Sequence, residues 1–231
     1  MELAVFATEQ EVAQRAAELI EAAARAAVQA RGKFTLAVSG GRTPWLMLRA
    51  LAARPLPWNA VHLFQVDERV APDGDPERNF THIAESLLAH AAIPAQNVHA
   101  MPVTDHDLAA GADAYADECA RVAGTPIVFD LVHLGLGPDG HTASLVPGDA
   151  ALNVSDADVV IAGPYQGRER MTLTYPVIDR ARHILWIVTG AEKHAMLTRL
   201  RAADRTIPAG RVRADIAILL ADRAAAGRST A

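Results

Sequence analysis

Short apolar runs alternate along the chain with longer amphipathic stretches. Residues 9–30 are rich in alanine, carry interspersed Glu and Arg, and contain no Gly or Pro, which predicts a long helix. Residues 33–38 (Lys-Phe-Thr-Leu-Ala-Val) run into Ser39-Gly40-Gly41, the pattern of a buried strand feeding a glycine turn. Pro44 then suits the first position of a helix reaching to about residue 52. The same unit recurs. Residues 61–66 are strand-like and 80–90 helical. Residues 131–136 are strand-like, with a Gly-rich loop behind them and a helix start at 142–145. Residues 182–189 are strand-like, broken by Gly190, and 191–201 are helical; 216–220 form a last apolar strand. Residues 112–123 read as helix and 171–174 as strand, whereas 147–164 are the least regular and are expected to be a surface excursion.

Alternating strand and helix signals predict an α/β fold with a mostly parallel sheet covered by helices. Strands that are apolar throughout fit this arrangement, because they are buried on both faces. Ligands of open α/β sheets bind at the carboxyl ends of strands, and four polar loops leave strands at that edge. No repeat, low-complexity linker or boundary interrupts the chain, so residues 1–231 are expected to form one domain.

Composition narrows the function. The chain has 231 residues, 51% of them hydrophobic, so a sizeable core is available, and its net charge of −5 lacks the basic excess that a nucleic-acid partner needs. Cys119 is the only cysteine and reads as a packed core residue, which excludes an intrachain disulfide and fits a reducing compartment. The N-terminus has no basic region followed by an apolar stretch, and no run of about 18 apolar residues occurs. A soluble, cytoplasmic protein without a membrane partner is expected, as a monomer or weak dimer. Of 22 basic residues only Lys33 and Lys193 are lysines.

Four constellations carry candidate chemistry. In Ser39-Gly40-Gly41-Arg42-Thr43-Pro44 the glycines allow close backbone approach, and the helix start supplies free N–H groups and a positive dipole end. The segment is a phosphate cradle or, more plainly, a tight turn with a Thr cap; it lacks the Gly-Lys-Ser/Thr ending of a Walker loop. Asp67-Glu68-Arg69, with Asn79 downstream, follows a strand directly. Arg69 suits an anion or a developing oxyanion and Asp67 suits sugar hydroxyls, against the alternative of an ion-paired solvated loop. In Gly137-Pro138-Asp139-Gly140-His141-Thr142-Ala143-Ser144, an Asp and a His two residues apart suggest an orienting carboxylate and a general base. A histidine is the side chain best suited to be neutral and basic at pH 7. One His and one Asp are too few for a metal site, and neither HExxH nor CxxC occurs. The fourth pair is Arg170, opening a strand, and Lys193, at a helix start behind a glycine turn; in an arginine-using chain this lysine suits a need for a compact point charge. His133 and His183 lie in strand patterns, His62, His82, His90, His99, His106 and His194 read as surface positions, and Trp45, Trp58 and Trp186 read as packing residues. No Gly-x-Ser-x-Gly elbow is present.

The order Ser-Gly-Gly-x-Thr-Pro, Asp-Glu-Arg with Asn downstream, Gly-x-Asp-Gly-His-Thr-Ala-Ser and Thr-Gly-x-x-Lys resembles the 6-phosphogluconolactonase family, from about Leu36 to Ala195. The resemblance implies a modified Rossmann-like fold shared with glucosamine-6-phosphate deaminases. It also implies hydrolysis of 6-phospho-D-glucono-1,5-lactone without a cofactor. It gives His141 as the base, Gly40, Gly41, Thr43, Arg170 and Lys193 as the phosphate site, and Asp67 and Arg69 as substrate-facing residues. Arg42 and Arg78 stand where the family often has Ser, and Pro138 stiffens the glycine loop. The alternatives are a glucosamine-6-phosphate deaminase or aldose–ketose isomerase on the same scaffold, using Asp67 and His141, and a sugar-phosphate-sensing domain, for which no DNA-binding extension is present.

Overall fold

The computed structural model describes residues 1–227. Seven parallel strands form the main sheet: β1 (Glu2–Phe6), β2 (Phe34–Val38), β3 (Val61–Gln65), β5 (Val98–His99), β6 (Leu131–Leu134), β9 (Ile184–Val188) and β10 (Ala217–Asp222). Their order is β1-β10-β9-β6-β2-β3-β5. Strands β4 (Asp67–Arg69), β7 (Val159–Tyr165) and β8 (Arg168–Leu173) make a separate antiparallel sheet in the order β4-β8-β7.

All five residues of β2 and of β9 are buried, because helices cover both faces of the sheet. Side chains alternate between two cores. Leu36, Val38, Leu185 and Ile187 join one with Val12, Ile20 and Leu48; Ala37, Trp186 and Val188 join the other with Tyr115, Cys119 and Phe129. The first core takes the stripe Val12, Ala16, Ile20, Ala24 and Ala27 of α1 (Glu9–Arg31), spaced by one helical turn. Thr8 caps this helix by accepting from the Glu11 N–H, and Gly32, at φ 74°, ends it in the left-handed conformation that glycine adopts without strain. The second core takes α4 (Leu108–Ala123), where burial pushes the Cys119 thiol's pKa up and keeps it protonated.

The chain turns one way along the sheet through β2, β3 and β5, and the other way through β6, β9 and β10, with the first strand, β1, at the edge beyond β10. The reversal lies between adjacent β2 and β6, so the loops leaving these strands diverge and open a crevice at their carboxyl ends.

Several sequence expectations are corrected. Helix α2 (Arg42–Ala52) begins two residues before Pro44, with Gly41 rather than Thr43 at its N-cap. Helix α3 (Asn79–Ile83) passes into a π-helical turn at Ala84–Leu88. No helix starts at Thr142: Thr142 and Leu145 form an isolated bridge, and Ala143 sits at φ 51°. The stretch 147–164 is not only an excursion, since it supplies most of β7, which forms a hairpin with β8. His99 is buried, not a surface residue: β5 packs it against Phe64 and between His62 and Glu118. The remaining helices are α5 (Tyr175–Arg180) and α6 (His194–Arg201), the latter preceded by a 3₁₀ turn at Ala191–Lys193. Among the described residues, no helix is long and apolar enough to cross a membrane.

Candidate active site

The crevice at the strand reversal is a cavity of about 550 Å³. Ser39, Gly40, Gly41, Arg42, Thr43, Asp67, Arg69, Asn79, His141, Arg170 and Lys193 all line it. Of the residues given a catalytic or binding role from the sequence, Asp139 does not line it and borders a neighbouring hollow.

The loop after β2 is fixed from below. The Ser39 hydroxyl donates to the His133 carbonyl (3.1 Å), and its N–H donates to His133 Nδ1 (3.3 Å). Burial pulls the pKa of the His133 imidazole down to about 3, so the ring is neutral. Gly40 passes directly over Asn79, where a Cβ would lie 1.9 Å from Asn79 Oδ1. Asn79 in turn donates to the Asp67 carbonyl (3.0 Å). Gly41, at φ 125°, turns the chain into α2, whose first-turn N–H groups have no partner within the helix. The Thr43 hydroxyl is 2.5 Å from that of Thr189, which joins this loop to the one after β9. Arg42 is 76% exposed at the rim and pairs with Glu9 at 2.9 Å.

The small sheet delivers the charged residues. Pairing of β4 with β8 sets Arg69 beside Arg170 and Asp67 beside Thr172. The Asp67 carboxylate is buried and accepts from the Ser144 hydroxyl (2.7 Å). Burial pushes its pKa up, opposed by that hydrogen bond and by Arg170 and Arg69. Arg170 is buried too, and its Nε lacks a hydrogen-bond partner. Arg69 donates to the Glu77 carbonyl at 2.5 Å. Glu68, between them in sequence, faces the other way. Fully buried, it accepts from the N–H groups of Arg69, Asn79 and Phe80, each at 2.8 Å, and pairs with buried Arg78, so it anchors the start of α3 rather than meeting a ligand.

His141 sits on a tight loop closed by bonds from the Gly137 N–H to the His141 carbonyl (2.8 Å) and from the Gly140 N–H to the Gly137 carbonyl (3.1 Å). Asp139 Oδ1 accepts from the His141 N–H (3.1 Å) and lies 2.6 Å from its Nδ1. Partial burial would raise the Asp139 pKa, but the hydrogen bonds and charge of His141 outweigh it and hold the carboxyl below its ordinary range. A carboxylate facing Nδ1 places the proton there in the neutral ring, which leaves the Nε2 lone pair free. The ring packs against Gly137, where a Cβ would be 2.1 Å from Nδ1.

Lys193 is half-buried at the start of α6 and has no ion pair among the described residues. With Arg42, Arg69 and Arg170 it gives the cavity four cations, of which Arg42 is paired with Glu9 at the rim, against the carboxylates of Asp67 and Glu192. Among the described residues, no group of three or more His, Cys, Asp or Glu is placed to hold a metal ion. Sequence reasoning missed Ser144, although it lies in the quoted motif; it also missed His133, Thr189 and Tyr165, whose ring meets His141 at 5.1 Å.

The family model of glucosamine-6-phosphate isomerases/6-phosphogluconolactonase matches residues 7–220. A 6-phosphogluconolactonase of Synechocystis sp. is 37% identical over 87% of this chain and 85% of its own length. The structure of a 6-phosphogluconolactonase from Trypanosoma cruzi superposes with a TM-score of 0.88 at 28% identity, covering 100% of this chain and 97% of that one. A monomeric glucosamine-6-phosphate deaminase shares the fold, with a TM-score of 0.82 at 19% identity over 99% of this chain and 100% of that one.

Proposed function

Since the chain belongs to the glucosamine-6-phosphate isomerase/6-phosphogluconolactonase family, we propose that it hydrolyses 6-phospho-D-glucono-1,5-lactone to 6-phospho-D-gluconate with His141 as the base. One observation carries this reading: the His141 ring is oriented through Nδ1 by Asp139 and borders the same cavity as Arg170 and Lys193. A base and an anion site thus share one crevice, the arrangement needed by a substrate that carries its reactive carbonyl and its phosphate at opposite ends.

In this mechanism Arg170, Lys193 and the N–H groups of the loop 39–43 hold the phosphate, and that remote binding energy fixes the lactone ring in place. Asp67 and Asn79 face the sugar hydroxyls. Nε2 of neutral His141 takes a proton from water as the water oxygen bonds to C1. The carbonyl electrons move onto its oxygen, which Arg69 or a backbone N–H stabilises. The intermediate then breaks the bond from C1 to the ring oxygen, and the His141 imidazolium returns the proton to that oxygen. Asp139, ionised throughout, stabilises the imidazolium. A positioned base supplies about 10²–10⁴-fold and one oxyanion donor about 10²–10³-fold. An activated lactone already opens in water, so these contributions suffice without a covalent intermediate. Every step uses water and the chain's own groups, with residues 1–231 acting as one unit in the cytoplasm and no cofactor.

The test generates the lactone from glucose 6-phosphate with its dehydrogenase and follows ring opening. Acceleration well above the spontaneous rate, with strong preference over unphosphorylated gluconolactone, is expected. No acceleration overturns the proposal, and ammonia release from glucosamine 6-phosphate would move the chain to the deaminase reading.

A further inference from the structure

Strand β7 is an edge strand, and its pairing with β8 slips near its end. Ala162 lies opposite Arg170 and Tyr165 opposite Arg168, so three steps on β7 match two on β8. The extra residue is a β-bulge at Gly163-Pro164. Pro164 is tolerated there because an edge or a bulge has no need of its missing N–H. Without the bulge, strict alternation would place Tyr165 on the face opposite to Ala162 and Arg170. With it, Tyr165 turns to the Arg170 face, and the Arg170 guanidinium carbon stands 5.0 Å from the centre of its ring. The same ring meets the His141 imidazole in a T-shaped contact with centroids 5.1 Å apart and planes at 65°. Arg170 also donates to the Tyr165 carbonyl at 3.4 Å.

The bulge is itself held. Asp149 accepts from the Gly163 N–H (2.8 Å) through one carboxylate oxygen and from the Ala151 N–H (2.8 Å) through the other. A Cβ at residue 163 would lie 2.9 Å from that carboxylate, which accounts for glycine at the bulge. Tyr165 and Asp139 together border a second hollow of about 420 Å³, while His141 and Arg170, the two groups its ring touches, line the substrate cavity.

We infer that Tyr165 is a positioning residue of the active site, aimed by the Asp149-pinned bulge so that one aromatic ring sets both the imidazole of His141 and the guanidinium of Arg170. This rests on the reading of His141 as base and Arg170 as phosphate ligand. The ring makes the contacts to His141 and Arg170, whereas the phenol faces Asp139, and burial together with that carboxylate pushes its pKa up; Tyr165→Phe separates the two. Substitution should therefore act on kcat through His141 and on phosphate affinity through Arg170 at once, which a merely structural residue would not do.

The experiment compares wild type with Tyr165→Leu, Tyr165→Phe and Asp149→Ala in lactone hydrolysis, with inorganic phosphate as competitive inhibitor and melting temperature as the control for folding. Tyr165→Leu is expected to weaken phosphate inhibition by about tenfold, the size of one partly desolvated cation–π contact. It should lower kcat by about 10–100-fold through misplacement of the base. Tyr165→Phe restores most of both, and Asp149→Ala shifts both in the direction of Tyr165→Leu. A folded Tyr165→Leu protein with kcat and phosphate inhibition within twofold of wild type overturns the inference. So does equal damage from Phe and Leu, which would put the role in the hydroxyl. If Tyr165→Leu fails to fold, the Asp149→Ala result decides: an unchanged kcat and phosphate inhibition overturns the inference. A wild-type chain without lactonase activity, or an unimpaired His141→Ala variant, would instead refute the underlying function and leave the two failures distinct.

Discussion

A methyl group added at Gly137 separates catalytic geometry from folding. Gly137 has an ordinary φ, so the backbone accepts alanine without strain. The obstacle is His141: the new Cβ would lie 2.1 Å from Nδ1, 2.2 Å from Cε1 and 2.7 Å from Cγ. The imidazole must therefore swing away, and its 2.6 Å bond to Asp139 breaks. His141 has room to move, since its side chain is 20% exposed. The stability loss is limited to one charge-assisted hydrogen bond near solvent, at most about 2 kcal/mol, partly offset by about 0.4–1 kcal/mol from the stiffer unfolded chain. A chain of this size loses about 2–4 °C of Tm per kcal/mol, so only a few degrees are expected. Catalysis loses the positioned base, worth about 10²–10⁴-fold in kcat, while the phosphate ligands on the other loops are untouched. Steady-state kinetics on the enzymatically generated lactone, with a thermal melt of the same sample, should show kcat down by at least about 10²-fold and the phosphate inhibition constant unchanged. A Gly137→Ala protein with kcat within threefold of wild type would refute the placement of His141 and the role assigned to it.

Other outcomes follow from the same contacts. Gly40→Ala drives a Cβ to 1.9 Å from buried Asn79 Oδ1, so it should cost stability by about 1–3 kcal/mol in denaturant titration and raise KM. Lys193→Ala removes a cation that has no structural ion pair among the described residues, so it should raise KM and the phosphate inhibition constant by about tenfold or more with little change in kcat. An unchanged KM would remove Lys193 from the phosphate site. His133, buried with its pKa pulled down to about 3, binds a proton in the unfolded chain below about pH 6.5. Its stabilising effect is thus complete above that pH and is lost, at up to about 1.4 kcal/mol per pH unit, as pH falls toward the folded value. Denaturant midpoints at pH 7 and 5 should show His133→Gln, which keeps an acceptor for the Ser39 N–H, with the shallower loss.

The elements legible in the sequence were those whose environment imposes a uniform pattern. Strands β2 and β9 are buried along their whole length, and α1 repeats its buried positions at one-turn spacing; both read directly from local composition. Strand β4 did not, because Asp67-Glu68-Arg69 becomes a strand only through pairing with β8, roughly a hundred residues away. Strand β5 is two residues long, too short for any periodicity. The site was legible as four loops at one sheet edge, but not as one cavity, since that depends on β2 and β6 being neighbours. Glu68 marks the limit of reading charge alone: the sequence groups it with Asp67 and Arg69 and gives it no role, and its carboxylate closes the N-terminus of α3 in the interior. Tyr165 was out of reach because a bulge shifts the face on which it lies.

The central claim is that His141 is the base that opens the lactone while other loops hold the phosphate. Comparison of wild type and His141→Ala in kcat, with inorganic phosphate inhibition measured alongside, tests it most directly. The account predicts a kcat lower by about 10²–10⁴-fold with phosphate inhibition retained. A His141→Ala enzyme that keeps near-normal kcat would contradict it.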